Sequence, residues 1–318
     1  MTSILVTGAT GFVGHHLCNA LLDSSLHIKA AVRSLPENPA NLSIEWVVIP
    51  TINADTDWRE ALEGVEVVIH LAARAHIMHE TAQDVLQAFR TINTEGSQNL
   101  ARQAASFGVK RFIFVSTIKV LGEQSALMAL NADSPVNPQD PYGLSKFEAE
   151  QALQQCAKAS GMEYVIIRPP LLYGAGVKGN FLRLMQWLQR GIPLPLAKIN
   201  NQRSMVYVEN LCDLIRICIT HPQAANQILL ITDRKDFSTS ELLIRLATAL
   251  GKKARLWWLP RKALEIPARW FGKEAEVQRL FDSLQVDASE TYRLLSWQPP
   301  FSAEQGLVKT AQAFIKRV

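Results

Sequence analysis

At 318 residues, 48% of them hydrophobic and 19% charged, the chain can bury a full core, and it fits one large α/β unit or a nucleotide domain with a smaller appendage. A net charge of +4, with no block of Lys and Arg interleaved with aromatics in view, argues against a nucleic-acid partner, and no apolar run approaches the roughly 18–20 residues that cross a bilayer, which argues against a membrane. Cys18, Cys156, Cys212 and Cys218 lie on helical stretches without CxxC or histidine spacing, so reduced thiols are expected, with neither a metal site nor a disulfide.

Met1 leads directly into an apolar strand at 3–7, not into a basic stretch and a long apolar segment, so a cytoplasmic protein is expected. The strand ends in Gly8-Ala9-Thr10-Gly11-Phe12-Val13-Gly14, followed by a helix over 11–22. Glycines between a strand and a helix let backbone amides approach a pyrophosphate, and the helix amino terminus adds favourable partial charge. A second strand at 27–33 ends in Arg33. A carboxylate there would hold the ribose 2′-hydroxyl of NAD, whereas an arginine pairs with the 2′-phosphate of NADP. No acid occurs before Glu37, so NADP(H) is the preferred cofactor and NAD(H) the possible one.

Further strands are expected at 44–49, 65–71, 110–117 and 163–168. The fourth strand runs into Leu71-Ala72-Ala73, small residues that leave room for a cofactor ribose; His70, among apolar neighbours, reads as a core histidine. Helices are expected over Asp84–Phe107, stopped by Gly108, and Tyr142–Ser160, stopped by Gly161. Alternation of this kind predicts a Rossmann-type doubly wound parallel sheet. After Arg168-Pro169-Pro170 the alternation weakens into a smaller C-terminal α/β lobe. Helices are expected there near 180–190, 208–220, 239–250, 274–282 and 303–316, with a strand near 228–232. The division is a dinucleotide domain over 1–170, to which later segments return, and a substrate lobe over 171–318, sharing one core with the cleft between them. Trp257-Trp258 and Trp270-Phe271 are expected in the core of the small lobe.

The chemistry is carried by Tyr142 and, one helical turn on, Lys146. A phenol alone titrates near ~10, but a neighbouring ammonium, joined by the positive charge of an oxidised nicotinamide, favours the phenolate and equips one group to exchange a proton with an alcohol or a carbonyl. The Ser116-Thr117 hydroxyls end an apolar strand upstream.

These pieces resemble the extended short-chain dehydrogenase/reductase family, the NAD(P)-dependent epimerases, dehydratases and reductases of nucleotide sugars. The resemblance rests on GATGFVG at 8–14, HLAA at 70–73, NTEG at 93–96, STIKVLG at 116–122, YGLSK at 142–146, IIRPPLLYG at 166–174, RSMVYVENLCDLI at 203–215 and LLSWQPPFSAEQGL at 294–307, and covers nearly the whole chain. It implies Tyr142 as general acid/base, Lys146 as its modulator and a ligand of the nicotinamide ribose, and Thr117 as the hydroxyl that orients the reacting sugar oxygen. It further implies cofactor contacts from Asn93 and Pro169, a diphosphate contact from Arg203, a diphosphate or sugar contact from Asn180, and Arg74 and His76 bordering the sugar pocket. Family dehydratases carry an Asp-Glu pair where this chain has Ile118 and Lys119, so β-elimination lacks its acid and Lys119 reads as a solvated loop lysine. Thr51-Ile52 stands where relatives carry an acid near the adenine.

Within the family the segments are most similar to bacterial surface-polysaccharide enzymes, the C4 reductases that form UDP-N-acetylquinovosamine. NADPH-dependent reduction of a UDP-4-keto-6-deoxy-N-acetylhexosamine is therefore the leading expectation. A UDP-hexose 4-epimerase, acting on UDP-GlcNAc or UDP-glucose with tightly held NAD, is the alternative. A non-catalytic NADPH-binding sensor is the alternative of another class. Helices 84–107 and 142–160 are expected to pair two subunits into a homodimer.

Overall fold

Strands of β-branched and other apolar residues, too short to cover both of their own faces, pair side by side and are sandwiched by helices. The structure, a computed structural model, describes residues 2–22, 24–36, 43–75, 84–125, 128–270 and 274–316. Its first part comprises β1 (Thr2–Thr7), α1 (Phe12–Leu21), β2 (Leu26–Val32), β3 (Ile44–Val48), α2 (Arg59–Leu62), β4 (Val67–His70), α3 (Val85–Phe89), α4 (Ser97–Ser106), β5 (Arg111–Val115), α5 (Pro141–Ser160) and β6 (Glu163–Arg168). The remainder comprises β7 (Leu171–Tyr173), α6 (Gly179–Gln189), β8 (Arg203–Tyr207), α7 (Val208–Thr220), β9 (Gln227–Leu230), β10 (Asp236–Phe237), α8 (Thr239–Ala249), α9 (Arg261–Trp270), α10 (Glu274–Phe281), α11 (Ser289–Leu294) and α12 (Ala303–Ile315).

The large sheet has the order β3-β2-β1-β4-β5-β6-β9, and every pair in it is parallel. Successive residues of one strand face opposite sides, so Ile4 and Val6 enter one core cluster while Leu5 enters the other; Ile69 and Val68 part in the same way. This is the doubly wound fold expected from the alternation. β9 pairs with β6, so a segment well past residue 170 completes the large sheet. A second sheet, β10-β8-β7, belongs to the smaller lobe. The cluster around Ile4 and Ile113 runs on through Tyr173, Met205, Leu243 and Leu307, so both parts share one core.

A polar hub ties the small lobe to the end of the chain. Tyr173 Oη donates to Asp233 Oδ2 at 2.6 Å, Tyr207 N–H and Asn210 Nδ2 donate to the same carboxylate, and Asn210 exchanges hydrogen bonds with the backbone of Phe301. Gly306 on α12 is obligatory there: a Cβ would stand 2.6 Å from Tyr173 Oη and 2.9 Å from the Tyr207 ring.

Three expectations need correction. The helix over 84–107 is broken between α3 and α4 by a π-helical segment, Arg90–Gly96, where Asn93 is drawn into tertiary hydrogen bonds. The short strands β7 and β10 and the helices α2, α9 and α11 were not expected. Trp257, Trp258 and Trp270 lie on the surface, 49%, 58% and 84% exposed, and Phe271 falls outside the described residues. All four cysteines are free thiols, with Cys156 half-buried and the others buried. Among the described residues no helix is long and apolar enough to cross a membrane.

Candidate active site

Gly8, Arg33, Ala72, Thr117 and Pro169 follow β1, β2, β4, β5 and β6, so they lie along the C-terminal edge of the large parallel sheet. Gly8 has φ +68°, and a Cβ on it would lie 2.8 Å from Ala72 N, so only glycine allows the turn after β1 to meet the end of β4. Gly14 is tighter still, with a Cβ position 2.2 Å from Gly8 O; its absence of side chain seats α1 on the turn. Thr10 and Gly11 are exposed, Phe12 and Val13 half-buried, and α1 begins with no side-chain cap, leaving its first N–H groups to face a ligand. Arg33 is exposed just past β2, beside that turn.

The rim next to the turn is fixed by polar side chains. His70 Nδ1 lies 2.6 Å from Thr7 Oγ1 and its Nε2 2.9 Å from Ser97 Oγ, while Ala72 N donates to Thr7 Oγ1. Burial, followed by the Lys146 charge, pushes this imidazole down to about 3, so it stays neutral and serves as a core brace. Asn93 Oδ1 accepts from Arg74 N, and Asn93 Nδ2 donates to Arg74 O and Ser145 Oγ, so its amide ties the backbone of Arg74 to α5. Arg74 stacks over Phe89, whose ring centroid is 6.1 Å from that of Tyr142. His76 lies outside the described residues.

Helix α5 carries Tyr142 and Lys146, the pair expected to do the chemistry. Asp140 caps it by accepting from Gly143 N at 2.6 Å, and Pro141 stands in its first turn, where a missing N–H costs nothing. A Cβ on Gly143 would be 2.9 Å from Lys119 O, so the first turn of α5, with Tyr142, packs directly on the short 3-10 turn Ile118–Val120. Thr117 caps that turn by accepting from Lys119 N, which leaves its hydroxyl proton to donate. Pro169 O, at the end of β6, accepts from Ile118 N and holds the same turn.

Lys146 is 1% exposed, and its Nζ lies 3.8 Å from the Phe114 ring centroid. The electrostatics depart from expectation. Burial, then the Asp140 carboxylate, pushes the Tyr142 phenol above its ordinary value, so in the protein alone Lys146 does not win. Burial brings Lys146 itself down from 10.5 to about 7, against the opposing charge of Glu150. Between those two values the unfolded chain binds a proton that the folded chain lacks, so this group makes stability rise with pH from about 7 toward 10.5, by up to about 1.4 kcal/mol per pH unit. The buried thiols of Cys18, Cys212 and Cys218, all pushed up by burial, oppose this in alkali but are shared by any Lys146 variant. In Lys146→Met the rise disappears. Urea midpoints of both cofactor-free proteins across the alkaline range check this, and parallel curves would refute it.

Lys119 is not a solvated lysine. It pairs with Asp140 and with Glu123 at 2.8 Å, and Arg279 on α10 holds the same Glu123 with two bonds of 2.9 Å. Burial works against ionisation of Glu123, yet Arg279 and Lys119 keep it at about 2. Ile118 is buried and apolar, so neither position supplies the acid that β-elimination needs.

On the small lobe, Arg203 Nη1 donates to Asp282 O at 2.9 Å, and its guanidinium is pushed down by burial and by Arg279. Arg261 and Asn201 bond the same residue, Asp282, and border a cavity of about 570 Å³ with Lys198, Trp258 and Phe281. Asn180 is exposed in the first turn of α6. Sequence reading missed this cavity wall and the Lys119–Glu123–Arg279 chain; their elements are short and far apart in sequence, with no shared motif.

The residues fit a dinucleotide: a turn where a Cβ on Gly8 or Gly14 would collide with backbone, a buried Ser116 Oγ without a hydrogen-bond partner, and a buried lysine, Lys146, on α5. Among the described residues no cluster suits a metal ion.

Comparison with known proteins agrees. The family model described as "NAD dependent epimerase/dehydratase family" matches residues 4–231. A UDP-glucose 4-epimerase of Vibrio cholerae is 46% identical over 99% of this chain and 96% of its own length. An N-acetyl-α-D-glucosaminyl-diphospho-ditrans,octacis-undecaprenol 4-epimerase of Escherichia coli O157:H7 is 26% identical over 98% of this chain and 94% of its own. In fold, the NAD complex of a Bacillus cereus UDP-glucuronic acid 4-epimerase superposes with a TM-score of 0.80 at 23% identity, covering 99% of both chains.

Proposed function

Because the chain belongs to the NAD dependent epimerase/dehydratase family, we propose that this nucleotide-sugar enzyme inverts C4 of a UDP-hexose, using tightly held NAD. The observation that carries the reading is the packing of Tyr142 against the Thr117 turn, with Lys146 buried one helical turn behind it. A bound nicotinamide supplies the acceptor, and later the donor, of hydride. Tyr142 takes the proton of the C4 hydroxyl and returns it to the carbonyl oxygen once the sugar has turned over about its diphosphate link. Thr117 donates to that oxygen and fixes its distance from the phenol. The upward push on Tyr142 explains why positive charge is needed beside it: without charge from Lys146 the phenol would not yield its proton. Arg203 holds the diphosphate while the sugar rotates, and its planar fork suits that group. Support for epimerisation over reduction comes from the relative at 46% identity, a UDP-glucose 4-epimerase. We place a homodimer contact on α4 and α5, as part of the same reading.

A second reading, the C4 reductase with exchangeable NADPH, draws support from Arg33, which is exposed just past β2 and is of the type that pairs with a 2′-phosphate. One experiment separates the two. The purified protein, with no cofactor added, is expected to interconvert UDP-glucose and UDP-galactose or their N-acetyl counterparts. Stoichiometric oxidation of added NADPH by a UDP-4-keto-6-deoxy-N-acetylhexosamine, without any interconversion, would replace the first reading with the second.

A further inference from the structure

The small lobe carries an unusual surface. Three of the chain's seven tryptophans fall within residues 257–270, and all three are exposed. Helix α9 turns Leu264 toward the core and buries Ala268. Its other side presents Lys262, Ile266, Arg269 and Trp270, spaced i, i+4, i+7 and i+8, as one exposed stripe, with Ile266 61% and Trp270 84% accessible. Trp257 and Trp258, on the preceding segment, are exposed as well. That segment is held rigidly: Leu194 N donates to Arg255 O, Trp257 N to Leu194 O and Ala197 N to Trp257 O.

Charge follows the same surface. Residues 252–270 contain six basic side chains and one acid, Glu265, whereas the whole chain carries only +4, so the rest of the protein is slightly acidic. The block of basic residues interleaved with aromatics that sequence inspection did not recognise is this one.

We propose that α9 and the preceding Trp257-Trp258 segment dock the protein on an anionic lipid bilayer, with the tryptophans and Ile266 at the headgroup boundary and the lysines on lipid phosphates. Tryptophan prefers that boundary because its ring is apolar and its N–H is not, and a basic helix with an apolar stripe lies in the interface plane. Two other occupants fit less well. A second copy in a two-fold contact would set this basic surface against itself, and lysine is depleted in such interfaces. A nucleic acid would use the arginines and tryptophans but has no use for Ile266 in the same stripe. The cavity beside Arg203 shares Trp258, Pro260 and Arg261 with this surface, so docking would bring its wall to the bilayer edge.

The test is sedimentation of the full chain with vesicles of phosphatidylcholine, alone or mixed with phosphatidylglycerol, together with tryptophan emission. Binding to the mixed vesicles, weakened by salt and accompanied by a blue shift, is expected. Lys252→Ala/Lys262→Ala should lower that binding by roughly 30-fold, and Ile266→Ser/Trp270→Ser by at least about tenfold. Turnover of a soluble UDP-sugar by both variants should stay unchanged, which reports that they fold. Equal binding to neutral vesicles, or indifference of both variants, overturns the proposal. So does a wild-type oligomer that ignores vesicles and dissociates on the Ile266/Trp270 change, which would assign the surface to a second copy.

Discussion

Tyr142→Phe is expected to lower turnover by roughly 10³–10⁴-fold while leaving cofactor affinity within about threefold. The ring is preserved, so its packing with Phe89, at 6.1 Å between centroids, and the cap of α5 by Asp140 persist; only the hydroxyl is lost. The loss should appear in kcat rather than KM, because the proton is moved only at the reacting oxygen. Steady-state turnover of the UDP-sugar and a titration of cofactor fluorescence measure the two quantities. Retention of more than about a tenth of wild-type turnover would show that another group carries the proton, and Thr117 would then be the first to examine.

The second large effect concerns stability. Arg168 on β6 and Glu150 on α5 form a buried ion pair, 3% and 1% exposed, with two parallel bonds of 3.0 and 2.6 Å. Glu150→Ala leaves a guanidinium without its partner beneath α5, at a cost of about 3–5 kcal/mol. The urea midpoint should fall with the slope unchanged. Replacing both partners, as Glu150→Leu/Arg168→Met, should cost far less, because the apolar pair leaves no buried charge behind. A double-mutant cycle isolates the pair from the packing each residue makes. Since Glu150 opposes the downward push on Lys146, its removal also lets that lysine titrate at still lower pH. Near-additive single and double effects would mean that the pair contributes no coupling.

Much of the fold was legible because its signals are local. The glycine turn after β1, the stop of α5 at Gly161 and the fully apolar central strands are each written in a few adjacent residues. The π-helical turn was not legible: Arg90–Gly96 has helical periodicity, and what widens it is Asn93 reaching Arg74 and Ser145 across the fold. Strands of two or three residues, such as β10 and β7, carry too little pattern to stand out among prolines. Burial was the other blind spot. The Tyr-Lys spacing suggested a phenol eased toward ionisation, but desolvation, which no spacing reports, moves Tyr142 the other way and takes Lys146 down with it. The exposed tryptophans are the same lesson reversed, since an aromatic pair carries no mark of which side of a surface it occupies.

The hub around Asp233 has a bearing on how a shortened chain would fare. Its neighbours Tyr173 and Asn210 bond the backbone of Ala303 and Phe301, and Gly306 is fitted against two tyrosine rings. A chain from which α12 is missing therefore keeps the nucleotide sheet and the donors to Asp233 but bares the Tyr173 and Tyr207 rings that Gly306 covers, and a small lobe left open in this way is the part that proteases would reach first.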